Sequence, residues 1–186
     1  MAYIFDPEIL NTIAKKAIGL EKEDMFDQLT ADLAAEYPGH IETGVRRWMF
    51  SNAGGMMGEI ALLHASLSEY VLLFAAPVAT GGHSGRYRTH LWDFYLAGQA
   101  KTYEEGELDC AIHEAGDFST ILKGRAAGVE ISAGTYVLEY ARGPIPTMLT
   151  FGLLDSMFST FDLKTIWRTN RAFSRLVLRE LRQGKI

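Results

Sequence analysis

The chain carries a single cysteine, Cys110, so no disulfide between its own residues can hold the fold. No base flanks Cys110, and it reads as an inert, buried thiol. Proline is scarce, with five in 186 residues. The longest apolar run, Tyr70 to Ala79, reaches only about half of the roughly 20 residues a spanning helix needs, so no transmembrane helix is expected. Asp6 and Glu8 interrupt the first apolar stretch without a basic leader before it, which argues against a secretory signal. Chemistry-bearing motifs are missing too: there is no Walker loop, no GxGxxG after a strand and no GxSxG elbow. The five histidines, at 40, 64, 83, 90 and 113, form no HExxH. His83 and His90 would face opposite sides of a shared strand, so no metal site is expected.

What is present is the composition of one soluble domain: 48% apolar and 22% charged residues, enough to bury a core. The net charge of −5 is unevenly spread, because residues 155–186 carry +4 and the first 154 carry −9. A mostly acidic body excludes a broad phosphate-binding surface, so nucleic acid is not an expected partner.

Residues 1–40 read as helical. Asp6-Pro7 is an N-cap with proline in the first turn, and Ile9, Leu10, Ile13, Ala17 and Ile18 recur at helical spacing up to Gly19. A second helix, about Glu21 to Tyr37, opens on acids and repeats Met25, Leu29 and Leu33 until Pro38-Gly39. Residues 46–142 are short aromatic and β-branched runs separated by glycines, the pattern of a β-barrel or sandwich without βαβ units. Residues 147–183 read as two helices parted near Ser159 to Asp162. In the second, Lys164, Arg168, Arg171, Arg175, Arg179 and Arg182 fall within an arc of about 80°, opposite Ile166, Phe173, Leu176, Val177 and Leu181. Such a helix either closes the barrel with its basic face in water or lies on an anionic membrane surface. The whole chain, 1–186, reads as one domain.

Two acids stand out by their surroundings. Glu139 lies in Thr135-Tyr136-Val137-Leu138-Glu139-Tyr140-Ala141, and Asp93 lies in Leu91-Trp92-Asp93-Phe94-Tyr95-Leu96-Ala97; each is the only charge in its run. Such a carboxylate points outward from an edge strand, pairs with an arginine (Arg86, Arg88 and Arg142 are available), or lines an apolar cavity. If both face one cavity they share a proton, the ionised member serving as base or counter-charge to an ammonium ion.

Several segments resemble one family, that of the sigma-1 receptor and the fungal sterol C8–C7 isomerase. They are His64-Ala65-Ser66-Leu67-Ser68-Glu69-Tyr70-Val71-Leu72-Leu73-Phe74, Gly82-His83-Ser84-Gly85-Arg86-Tyr87, Glu139-Tyr140-Ala141-Arg142-Gly143-Pro144-Ile145-Pro146 and Asp155-Ser156-Met157-Phe158-Ser159-Thr160, with Gly54-Gly55 and Met57-Gly58 as a further match. The likeness runs from about Phe5 to Leu181. It implies an α+β fold, a cupin-like β-barrel flanked by the N-terminal helices and by two C-terminal amphipathic helices. It also implies that Glu139 binds a ligand ammonium, that Asp93 hydrogen-bonds to it and that Tyr70 supports it. Ile60, Leu62, Leu72, Phe74 and Tyr87 would line the pocket, with Leu149, Gly152 and Phe173 in a membrane-facing lid. Gly54-Gly55 matches a trimer contact, so a homotrimer is implied, unless the pair is a plain β-turn. Two positions depart from the family: Met56 replaces an aromatic and Ile121 replaces a histidine near the pocket. The expected function is binding of a small hydrophobic amine or steroid-like ligand through the carboxylate pair, without metal or cofactor. The alternative is a sterol or polycyclic alkene double-bond isomerase using the same pair. The expected location is cytoplasmic or on a membrane periphery.

Overall fold

Asp6 begins the first helix as the sequence predicts: its carboxylate accepts from the Glu8 amide at 2.8 Å, and Pro7 occupies the first turn of α1 (Pro7–Ala17). These elements belong to a computed structural model that describes residues 3–185. The second helix, α2 (Lys22–Glu36), has no side-chain cap and takes its stability from Met25, Phe26, Leu29 and Leu33, all buried.

The strands are β1 (Met49–Ala53), β2 (Met56–Ala65), β3 (Glu69–Ala76), β4 (Thr80–His83), β5 (His90–Ala97), β6 (Gln99–Glu104), β7 (Ala111–Glu114), β8 (Phe118–Ile121), β9 (Ala127–Ile131) and β10 (Thr135–Arg142). All pairings are antiparallel, and they build a six-stranded sheet, β1-β2-β3-β10-β5-β8, and a four-stranded sheet, β4-β9-β6-β7. The β3 run is apolar almost without interruption because both faces of that sheet are covered. Val71, Leu73, Leu138 and Tyr140 point outward against α1 and α2. Tyr70, Leu72, Leu91 and Ala141 point inward. Ala76, Tyr95 and Val137 meet Ala100 and Ile131 of the second sheet.

After β10 the chain forms α3 (Ile145–Asp155), a π-helical turn (Ser156–Thr160) and α4 (Leu163–Arg182). Asp162 caps α4 by accepting from the Thr165 amide at 3.0 Å. Phe173 and Leu176 bury against the inner face of the six-stranded sheet, whereas Leu181, expected on the apolar side, is exposed. The basic face divides: Lys164, Arg168, Arg171, Arg175 and Arg182 are exposed, Arg175 pairing with Glu42 at 2.7 Å, while Arg179 is half-buried against Glu180 at 3.2 Å.

The buried reading of Cys110 changes, and the Gly54 turn gains a contact. Cys110 is exposed, because the turn between β6 and β7 that carries it stands clear of both cores. Gly54 does sit in the β1–β2 turn, yet it also touches β4: its carbonyl accepts from the His83 amide at 2.8 Å. A Cβ at Gly54 would lie 1.9 Å from the His83 carbonyl oxygen, and its φ of +65° already favours glycine.

Candidate functional site

The site lies between the inner face of the six-stranded sheet and the roof made by α3 and α4. Direct cross-strand register places Leu72 opposite Glu139, Glu139 opposite Asp93, and Asp93 opposite Ser119. Residues directly opposite on an antiparallel ladder share a face, so the two carboxylates are neighbours on one wall. Both strands are interior to the sheet, which removes the edge-strand reading. The arginine reading loses two of its candidates: Arg86 pairs with Glu105 at 2.8 Å, and Arg142 stacks over Trp92.

Glu139 and Asp93 line a cavity of about 190 Å³. Both residues are half-buried, and the cavity is the space that they border. Ile60, Leu72, Phe74, Tyr70 and Tyr87 contribute to its walls, and Leu149, Gly152 and Phe173 to its roof. Leu62 is the exception. It stands opposite Leu72 on the same sheet face, but it lines a separate surface groove beside α4. Further lining residues that the sequence reading did not single out are Met148 and Phe151 from α3 and Ile166 from α4. Ile166 already falls on the apolar side of its helix in the sequence pattern, whereas nothing in that pattern marks Met148 or Phe151.

The electrostatics follow from enclosure. Burial pushes the Asp93 carboxyl well above the usual carboxylate range, the Glu139 charge pushes it further, and a hydrogen bond from Ser119 opposes both. Burial raises Glu139 as well, opposed by the Tyr70 hydroxyl, which donates to Glu139 Oε1 at 2.5 Å. Tyr70 and Tyr87 are themselves held above the ordinary phenol range, first by burial and then by the Glu139 charge. Burial thus disfavours the charged form of both carboxyls, and a charge on Glu139 disfavours a second one on Asp93.

Two further polar clusters were not legible in the sequence. Glu69, fully buried, accepts from the Ile4 amide at 2.8 Å and the Tyr140 hydroxyl at 2.9 Å, and pairs with Lys185 at 2.7 Å. It ties the N-terminal segment and the C-terminal end to β3 and β10. His40, His64 and Glu180 converge from the α2–β1 connection, β2 and α4, with ligand-type atoms all within 4.8 Å of one another. They are residue types that can ligate a metal, although Arg179 already supplies a positive charge to Glu180 at 3.2 Å. The His64 Nδ1–H faces the His40 carbonyl at 2.9 Å, and burial lowers His64 to about 4, opposed by that bond and by Glu180.

Among the described residues, no helix is long and apolar enough to cross a membrane. Residues 1–185 match the family model described as ERG2 and Sigma1 receptor like protein. Among curated proteins, the chain is 41% identical over 179 residues to the sigma non-opioid intracellular receptor 1 of Gallus gallus, covering 96% of this chain and 81% of that one. It is 34% identical over 187 residues to the C-8 sterol isomerase ERG2 of Gibberella zeae, covering 99% and 79%. Among solved structures, KdgF from a Halomonas species is similar at 12% identity and a TM-score of 0.47, over 59% of this chain and 98% of that one. An RmlC-like cupin from Shewanella frigidimarina is similar at 13% identity and a TM-score of 0.44, over 56% and 90%. The fold is α+β, two antiparallel sheets with flanking helices, and the chain belongs to the family of ERG2 and sigma-1 receptor like proteins.

Proposed function

We propose that the cavity binds a small hydrophobic amine or a steroid-like cation, with Glu139 as counter-charge and Asp93 as its proton-sharing partner. The observation that carries this reading is the direct register of the two acids on the wall of one largely apolar cavity. An ammonium group there meets one negative charge in a low-dielectric site, and the rings of Tyr70, Tyr87 and Phe74 add cation–π attraction of about 0.5–2 kcal/mol. The test compares an ammonium amphiphile with its neutral carbon isostere by calorimetry. A preference of about 30-fold or more for the cation is expected, and equal affinities would overturn the reading.

The same pair suits a second reading, favoured by the likeness to a C-8 sterol isomerase. The protonated carboxyl gives its proton to a ring alkene, a tertiary carbocation forms beside the pair, and a carboxylate of the pair takes a proton from the neighbouring carbon. One proton enters and one leaves, so the double bond shifts without net redox change. Incubation with a Δ8-sterol and chromatography of the product separates the readings: an isomerised product makes the protein an enzyme, and an unchanged sterol leaves it a binding protein for that substrate class.

For partners, we propose peripheral docking on an anionic membrane. Phe158, Phe161, Leu163 and Trp167 are exposed around the α3–α4 connection, next to the exposed Arg168 and Arg171. A homotrimer through the Gly54-Gly55 turn is the corresponding proposal for assembly, measurable by sedimentation equilibrium.

A further inference from the structure

We propose that Tyr95 and Ser119 are positioning residues for the acid pair: Tyr95 donates to Ser119, Ser119 to Asp93 and Asp93 to Glu139, so that this run of donors favours the singly charged pair over the neutral one. This rests on the cavity being a cation site. The geometry is a continuation of the register that pairs the acids. Ser119 stands directly opposite Asp93 on the neighbouring strand β8, and Tyr95 follows Asp93 by two residues on the same face of β5. The Tyr95 hydroxyl lies 3.0 Å from Ser119 Oγ, and Ser119 hydrogen-bonds in turn to Asp93.

Tyr95 is held in place rather than free to turn. It is 3% exposed, its ring stacks on His113 at 5.3 Å and 4°, and its backbone amide donates to the Asp117 carbonyl at 3.1 Å. A buried phenol and a serine hydroxyl in an apolar wall cost free energy unless each has a partner. Here they have each other and Asp93.

The direction of the chain follows from where it ends. The ionised carboxylate can only accept, and Tyr70 already donates to it from β3. A proton on Asp93 therefore turns toward Glu139, leaving the second Asp93 oxygen to accept from Ser119, whose own lone pairs accept from the more acidic Tyr95 phenol. Donors aligned head to tail polarise one another and strengthen the last bond. The titratable groups facing the pair are Tyr70 from β3, Tyr87 from the β4–β5 connection and Tyr95 from β5. His113 and Asp117 reach Tyr95 but not the pair, and among the described residues α3, α4, β1, β2 and β9 bring no titratable side chain to the cavity.

The test is the pH dependence of affinity for an ammonium amphiphile, read beside the neutral isostere. Affinity for the cation falls on the acid side as Glu139 takes a proton. Ser119→Ala is expected to move that midpoint upward by about half to one pH unit, and Tyr95→Phe by less. Tyr95→Phe is expected to add nothing on top of Ser119→Ala, and Ser119→Thr to restore the wild-type midpoint. Affinity for the neutral isostere stays unchanged in Ser119→Ala and Ser119→Thr, since Ser119 is not among the residues that line the cavity. An unmoved midpoint in Ser119→Ala, independent shifts that add, or a parallel loss for the neutral isostere in either Ser119 variant would overturn the chain. Glu139→Gln separates the two levels. If that variant binds the cation as tightly as wild type, the cation-site reading itself has failed; if it loses the cation while Ser119→Ala keeps its midpoint, only the chain has failed.

Discussion

Replacing Glu139 by glutamine removes one charge at almost constant volume, so it tests the counter-charge with little change in packing. An ammonium at about 4 Å from a carboxylate, in an environment of effective dielectric about 20, gains about 4 kcal/mol. The glutamine carbonyl still accepts one hydrogen bond, which returns about 1 kcal/mol. The net loss of about 3 kcal/mol corresponds to an affinity lower by roughly 150-fold, measurable by calorimetry with an ammonium amphiphile. Stability should move the other way. Burial raises the Glu139 carboxyl, so the folded chain takes up this proton more readily than the unfolded chain. Wild-type stability therefore gains as pH falls through the window between the ordinary and the raised carboxylate range, and the charge is a liability above it. Glu139→Gln should melt higher than wild type at neutral pH, with the two curves converging in acid. Asp93→Asn serves as the control: its amide can still donate to Glu139, so it should lose less affinity. A glutamine variant that keeps full affinity for the cation and melts below wild type would refute both the site and the electrostatic reasoning.

Glu69→Ala should cost about 3–5 kcal/mol in chemical denaturation, because it leaves a buried hydroxyl, a backbone amide and Lys185 without their shared acceptor; a change below 1 kcal/mol would contradict that role. His64, depressed to about 4, takes up its proton more readily in the unfolded chain, so its contribution to stability is present above about 6.5 and lost as pH falls toward about 4. Across that window wild type should lose up to about 3 kcal/mol relative to His64→Gln, read from denaturant midpoints at each pH. Vesicles containing anionic lipid should sediment the protein at low salt and release it at high salt, and Arg168→Glu with Arg171→Glu should abolish the effect; absence of binding at any salt would favour a merely solvated basic face.

Local signals in the chain were sufficient for much of the architecture. Asp6-Pro7 and the Met25, Leu29, Leu33 spacing specify helices through capping and periodicity, which act over a few residues. The isolated charge in each of two apolar runs marked Glu139 and Asp93, because an unaccompanied carboxylate among aromatics is costly enough to demand an explanation. Whether those acids met was a matter of strand order. β10 lies between β3 and β5, strands far apart along the chain, and only that pairing sets Glu139 opposite Asp93 and Asp93 opposite Ser119. The same holds for Glu180, an acid on a basic helix that the tertiary fold buries against His40 and His64. It holds for Leu62 too, apolar by sequence yet excluded from the cavity by where α4 lies over the sheet. Sequence periodicity determines which face of an element is apolar; what that face meets depends on contacts between distant segments, which no local pattern encodes.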